Sequence, residues 1–251
     1  MDPVVTALAE QQTETRSLLA NLDDDDWEAS TRCDGWNIAD VVLHLAQSDE
    51  MAVASLQGSL PGGGDASATG WGGGSSVDES VALMVERERG ATPTDLLARW
   101  TSTADRLTTL LDAVDLSTRV RWVAGDLSAR TLATTRLAET WIHTGDIASA
   151  VGIELIATDR LKLIARLAWR TLPYAFDRAG RTLSGPVKFL LVAPSGERWG
   201  FIPDEPAVTT IFGSAVDLCE VAARRVDPSA TSLSGDGPDV AEVLSLVRTY
   251  A

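Results

Sequence analysis

The first 150 residues show apolar side chains at the three- and four-residue spacing of amphipathic helices. Ser128 before one such run is a favourable N-cap, and Gly152 after it is a natural stop for a helix. On these patterns we predict five helices, over residues 4–22, 36–56, 78–88, 94–112 and 128–150. The first half of the chain is therefore predicted to consist of helices joined by loops.

A glycine- and serine-rich segment, GSLPGGGDASATGWGGGSS, separates the second and third predicted helices. This composition does not favour a regular element, so we expect residues 58–76 to form a loop that is mobile without ligand. Trp71 is the exception within the loop, because its large apolar side chain is able to close over a bound molecule.

The second half of the chain has a different pattern. A helical segment over residues 159–180 is interrupted at Pro173, and two short apolar runs flank the turn sequence PSGE, which predicts a β-hairpin. Residues 207–214 are rich in β-branched side chains, and two further helical segments follow. We therefore predict a helical domain over residues 1–155 and a small α+β domain over residues 156–251.

Charge and composition exclude several classes of function. The net charge of -15 and the absence of a basic patch with interleaved aromatic residues exclude nucleic-acid binding. No apolar run reaches the 18 residues of a membrane span, and the N-terminus lacks a signal pattern, so a cytoplasmic protein is expected. Cys33 and Cys219 are too few for a disulfide framework and are expected to be reduced.

Only two histidines occur in the 251 residues, and each lies in the middle of a predicted helix. Glu139 and His143 are four residues apart, so they share one helix face, and His44 is the only other histidine available. Two histidines and one carboxylate suit zinc with an open coordination position, and nickel, iron and manganese accept the same ligands. A glutamate and a histidine four residues apart also occur in helices that bind no metal. The spacing alone therefore leaves open whether these histidines are metal ligands or ordinary core or surface residues.

Three charged residues are placed to support these ligands. Metal-bound histidines usually donate their second ring N–H to a carboxylate or a carbonyl. Asp40 lies one turn before His44, and Asp146 lies three residues after His143, so each is a candidate partner for the nearby histidine. Arg136 lies three residues before Glu139 and is a candidate to steady a carboxylate.

Two stretches of the chain resemble a known superfamily. RCDGWNIADVVLHLAQSDEMAV resembles the first metal-binding helix of the DinB and mycothiol-dependent maleylpyruvate isomerase superfamily, and RLAETWIHTGDIASAVG resembles its second metal-binding segment. GERWGF and DLCEVAARRV resemble the small sterol-carrier-like α+β domain that follows the bundle in many members. The resemblance implies a DinB-like four-helix bundle that binds a divalent metal through His44, Glu139 and His143.

The resemblance also implies a type of reaction. Members of the maleylpyruvate isomerase type use a metal with the low-molecular-weight thiol mycothiol, which indicates an isomerase or an S-transferase acting on a small electrophilic molecule. A thiol-independent metal hydrolase or lyase, and a non-catalytic metal-binding stress protein, are the alternatives; monomer and homodimer both remain open. An anionic substrate would need arginines, for which the candidates are Arg87, Arg89, Arg130, Arg224 and Arg225.

Overall fold

A computed structural model describes residues 1–60, 76–123 and 125–249. Contacts between Cα atoms divide the chain into two units, Met1–Leu155 and Ile156–Ala251. Most of the loop predicted to be mobile, including Trp71, lies outside the described residues. None of the helices in the described ranges combines the length and apolar character that a membrane span requires.

The described part of the first unit contains five α-helices and a two-stranded antiparallel sheet. The helices begin where side chains accept hydrogen bonds from backbone N–H groups of the first turn, as Ser128 does from Thr131. The second helix begins two residues later than predicted, because Asn37 and Asp40 form a capping box. The elements are α1 (Pro3–Leu19), α2 (Ile38–Leu56), α3 (Val77–Glu88), α4 (Pro93–Ala113), β1 (Arg119–Val120), β2 (Leu127–Ser128) and α5 (Ala129–Ala150).

Four of these helices form a closed bundle. Helix α1 packs against α4 and α5, and α2 packs against the same two helices from the other side, while α3 covers α2. The core between them is apolar and includes the fully buried Trp100, Leu8, Leu45, Leu107 and Leu132. The predicted helical domain is thus a four-helix bundle with one additional helix.

Helix α5 is largely enclosed, since 15 of its 22 residues are buried. The buried residues include charged and polar side chains as well as apolar ones. A buried polar group is costly unless it is paired, so each of these side chains needs a partner from a neighbouring element. Arg136 and Glu139 find their partners on α2, so the candidate site lies between α5 and α2.

The second unit is a four-stranded mixed sheet with short helices. Its elements are α6 (Leu161–Arg170), α7 (Leu172–Arg178), β3 (Val187–Val192), β4 (Arg198–Phe201), β5 (Thr209–Ser214), α8 (Ala215–Ala222), β6 (Ser234–Asp236) and α9 (Val240–Leu246). The strand order is β4-β3-β5-β6, with β3 and β5 parallel and the other pairs antiparallel. The predicted hairpin is β3–β4, and the predicted interruption at Pro173 separates α6 from α7.

Candidate metal centre

Helices α2 and α5 run antiparallel and exchange polar contacts along their length. Residues of α5 at positions 136, 139, 143 and 146 are spaced by three or four and form one stripe, which we call the polar stripe. Later residues of the stripe contact earlier residues of α2 or of the turn before it, as expected for antiparallel helices. Asp49 contacts Arg136, His44 contacts Glu139, and Cys33 contacts Asp146. The stripe therefore brings groups from distant parts of the sequence together in the bundle.

The centre of the stripe is a cluster of three possible metal ligands. One donor atom from each of His44, Glu139 and His143 lies within 4.8 Å of the other two. Nε2 of His44 lies 3.3 Å from Oε2 of Glu139, and Nε2 of His143 lies 3.5 Å from the same oxygen. Tetrahedral zinc with bonds of about 2.0–2.2 Å holds its nitrogen and oxygen ligands about 3.3–3.5 Å apart. The spacing of these atoms therefore fits a zinc ion.

A second observation supports that fit. Glu139 is buried, and among the described residues its Oε1 has no hydrogen-bond partner. A buried carboxylate oxygen without a partner is expensive, and it is a good ligand for a divalent cation. The donor set and its unsatisfied oxygen thus have the chemistry of a metal centre with three protein ligands.

The electrostatics of the cluster favour a positive charge at its centre. Burial opposes ionisation of Glu139, but hydrogen bonds with His143 and His44 hold the pKa of its carboxyl well below the ordinary value. Burial also opposes charging of His143, yet hydrogen bonds with Asp146, Cys33 and Glu139 raise its pKa well above the ordinary value. Burial lowers the pKa of His44. The directions of the Glu139 and His143 pKa shifts thus both favour a negative carboxylate beside a positive charge.

Aromatic contacts fix the two imidazole rings. The rings of His44 and His143 meet edge to face, with centroids 5.0 Å apart. The indole of Trp36 lies 5.2 Å from the His44 ring, at a tilt of 48°. Trp36 belongs to the GW pair just before α2, so this tryptophan forms part of the wall beside the candidate ligands.

Asp146 approaches the ring nitrogen of His143 that faces away from Glu139. Its Oδ2 lies 3.0 Å from Nδ1 of His143, and because a carboxylate only accepts, Nδ1–H is the donor. The structure thus brings Asp146 to the position proposed for a residue that orients this histidine. Asp146 is itself fully buried.

The other two supporting residues have different partners from those expected. Asp40 has no hydrogen bond with His44 in the described part of the chain; its carboxylate accepts from the Asn37 backbone and from Nε of Arg89. Arg136 donates to Asp49 at 2.9 Å and to Ser48 at 2.7 Å, instead of to Glu139. Asp40 thus stabilises the start of α2, and Arg136 neutralises a buried carboxylate one turn from the cluster.

The candidate substrate arginines are dispersed. Arg87 is exposed near the end of α3, and Arg225 lies in the second unit, where it donates to the Ala223 carbonyl. Three further arginines have partners: Arg89 pairs with Asp40, Arg130 pairs with Asp2, and Arg224 donates to the Ser245 carbonyl. Substrate binding by Arg87 and Arg225 stays a prediction.

Two residues next to the cluster were not anticipated from the sequence. Nε of Arg32 donates to Oδ1 of Asp146 at 3.2 Å, and Sγ of Cys33 donates to Oδ2 at 3.3 Å. Both precede the GW pair inside the stretch that resembles the first metal-binding helix. Neither residue belongs to a helical pattern. Their position inside this stretch was therefore the sequence feature from which a role at the site could have been inferred.

The two cysteines differ in environment, and this difference gives a test. Neither forms a disulfide; Cys33 is half-buried, whereas Cys219 is fully buried and burial raises the pKa of its thiol. We expect a chromogenic disulfide reagent to titrate Cys33 in the folded protein and both thiols after unfolding without reductant. Finding no free thiol in the unfolded, unreduced chain would contradict the absence of a disulfide.

Comparisons with known proteins identify the family of this chain. Residues 8–148 match a family model described as the mycothiol maleylpyruvate isomerase N-terminal domain. Two uncharacterised proteins of Mycobacterium tuberculosis, from strains CDC 1551 / Oshkosh and H37Rv, are each 31% identical over 252 residues, covering 99% of this chain and 95% of the relative.

Solved structures share the fold. Crystal structures of the mycothiol-dependent maleylpyruvate isomerase and of a histidine-to-alanine mutant of it match with TM-scores of 0.60, at 18% and 19% identity. The match covers 94% of this chain and 94% of each solved chain. The predicted fold class, a DinB-like helical bundle followed by a small α+β domain, is confirmed.

Proposed function

Because this chain belongs to the mycothiol maleylpyruvate isomerase N-terminal domain family, we propose that it is a metal-dependent enzyme that uses a low-molecular-weight thiol. The thiol is of the mycothiol type, and the reaction is an isomerisation or an S-transfer on a small electrophilic molecule. A cytoplasmic location suits this chemistry, since low-molecular-weight thiols stay reduced there, as do Cys33 and Cys219, which form no disulfide.

One observation carries the proposal: His44, Glu139 and His143 converge inside the bundle, and Oε1 of the buried Glu139 carboxylate has no hydrogen-bond partner among the described residues. His44, Glu139 and His143 would hold the metal, most suitably zinc, with nickel, iron and manganese as the other candidates. When bound there, such an ion lowers the pKa of a thiol or polarises a carbonyl group.

The chain's own residues supply orientation and a dry environment. Asp146 accepts from Nδ1 of His143, which directs the opposite ring nitrogen towards Glu139. Trp36 lies against His44 and restricts the space for water beside that ligand. A charged group in such a partly dry site interacts more strongly with its neighbours than it would in bulk water.

The substrate class that we propose is taken from the solved relatives. Maleylpyruvate, the substrate named for the solved relatives, carries two carboxylates, and an anionic electrophile of this class would need a cationic contact. Arg87 and Arg225 are the residues that we propose for this contact. Each belongs to a different unit of the chain, so they are to be tested separately.

The test combines the metal, the thiol and an electrophile. We expect zinc-loaded protein with mycothiol to convert maleylpyruvate or a member of a panel of small electrophiles, and to lose turnover when either the metal or the thiol is omitted. Glu139→Gln should lose both turnover and metal. Glu79→Gln, at an exposed position of α3, should retain both.

Other results would select a different function. Turnover that depends on metal but is unchanged without thiol would replace the proposal with a hydrolase or lyase. A bound metal whose visible spectrum, after cobalt substitution, does not respond to mycothiol or to any electrophile would favour a non-catalytic metal-binding protein.

A further inference from the structure

We propose that the Arg32–Cys33 turn positions the metal ligand His143 by way of Asp146. The role rests on the proposed metal centre, and it assigns to Arg32 and Cys33 an orienting function without contact with the metal. Cys33 is then a residue of the site, in contrast to Cys219, which is buried in the second unit.

The contacts converge on one carboxylate. Oδ2 of Asp146 lies 3.0 Å from Nδ1 of His143 and 3.3 Å from Sγ of Cys33, whereas Sγ and Nδ1 are 3.9 Å apart. The oxygen therefore accepts from both the thiol and the imidazole. Arg32 holds the other oxygen, Oδ1, through Nε at 3.2 Å. With both oxygens engaged, the carboxylate cannot rotate without breaking at least one of these hydrogen bonds.

The turn that carries these two donors is itself fixed. The backbone N–H of Thr31 donates to the Trp36 carbonyl, and that of Trp36 donates to the Cys33 carbonyl, both at 3.0 Å. The Thr31 hydroxyl accepts from the backbone N–H of Cys33 at 3.1 Å. Gly35 closes the turn with φ +75°, a conformation that favours glycine. The thiol is thus presented by a hydrogen-bonded turn, not by a free loop.

Helix α5 leaves space for the Arg32 side chain of this turn. Gly145 lies within α5 next to Asp146, although glycine costs a helix interior about 1 kcal/mol relative to alanine. A Cβ atom at this position would lie 3.3 Å from a terminal guanidinium nitrogen of Arg32. The missing side chain therefore leaves room for Arg32 to lie across the helix and reach the carboxylate.

An alternative is that Cys33, His143 and Asp146 bind a cation directly, since one donor atom of each lies within 4.8 Å of the others. The charge around Asp146 argues against it. A cation there would lie beside the Arg32 guanidinium, which already neutralises this carboxylate. Nδ1 would also have to lose the proton that it donates to Asp146. Positioning requires neither change.

The experiment measures zinc affinity by competition with a chromophoric chelator. We expect Asp146→Ala to weaken zinc binding about 100-fold and Cys33→Ala about 10-fold, within the range for groups that orient metal ligands. Cys33→Ser keeps a donor at the same place and should restore affinity to within about threefold of the original protein. Cys219→Ala is the matched control and should leave zinc affinity unchanged.

Two readouts separate positioning from other roles. If Cys33→Ala loosens the metal-free fold, as judged by its thermal unfolding, the rescue by Cys33→Ser still decides the matter. In cobalt-substituted protein without added thiol we expect no sulfur-to-cobalt charge-transfer band; a band that disappears in Cys33→Ala would make Cys33 a ligand and overturn the proposal.

The remaining outcomes distinguish this inference from the proposed function. Zinc binding that is equal in the original protein, Cys33→Ala and Cys33→Ser would overturn the role of Cys33 while leaving the metal centre intact. Failure of the original protein to bind zinc or cobalt would overturn the metal centre and this inference with it.

Discussion

Replacing His143 by alanine should reduce bound zinc from one ion per chain to far below one. His143 supplies one of three converging donor atoms, and it is the donor fixed most firmly by its surroundings. Loss of a residue that merely orients a ligand costs about 10–100-fold in metal affinity, so loss of the ligand itself should cost about 100-fold or more. Metal analysis of protein equilibrated with buffered zinc gives the occupancy.

Two further variants test whether the loss of zinc is specific to the proposed ligands. His44→Ala should lose zinc in the same way, because its Nε2 shares Oε2 of Glu139 with His143. Thr134→Ala changes a half-buried position of α5 that lies outside the cluster, and it should keep full occupancy. Full zinc occupancy in both histidine variants would show that these side chains are not ligands.

Replacing Arg136 by methionine should lower the free energy of unfolding by about 3–5 kcal/mol, the usual cost of leaving a buried charge unpaired. Arg136 is 2% exposed and Asp49 is 0% exposed, so bulk water does not screen this pair. Burial raises the pKa of Asp49 even though Arg136 lies 2.9 Å away, which means that desolvation outweighs the attraction. Urea unfolding followed by helical circular dichroism measures the loss.

The control is an exposed ion pair between another arginine of α5 and Asp2 at the start of α1. Arg130 contacts Asp2 through two hydrogen bonds, but its side chain is 55% exposed. Arg130→Met should therefore cost at most about 1 kcal/mol. The double change Arg136→Met with Asp49→Leu should recover most of the stability, because it removes both buried charges. Equal losses for Arg136→Met and Arg130→Met would contradict this account.

The helices were predictable from sequence because their determinants are local. The spacing of apolar residues and the capping side chains predicted all five described helices of the first unit, and Ser128 and Gly152 marked the ends of α5 correctly. The parallel pairing of β3 with β5 was not predicted, since it depends on contacts between segments separated by β4. Strand β6 was missed because Ser234–Asp236 is exposed and carries no alternating pattern.

The same division applies to the candidate site. Glu139 and His143 are one helical turn apart, so their proximity follows from α5 alone, and the resemblance to the superfamily joined them to His44. Spacing misassigned the partner of Asp40, because a helix-capping role and a histidine-orienting role both fit a carboxylate near the start of α2. The contact of Cys33 with Asp146 spans 113 residues and depends on how the turn lies across α5.

The polar stripe also has a consequence for how the bundle folds. Apolar side chains tolerate sliding of one helix along another. A slip of α2 by one turn, about 5.4 Å, would however separate Arg136 from Asp49 and Glu139 from His44. Arg136 and Asp49 would then lie unpaired among apolar residues, at several kcal/mol for each ion, and Glu139 would lose His44. Misaligned packings of α2 on α5 are therefore destabilised, so the polar stripe selects one alignment of these two helices during folding.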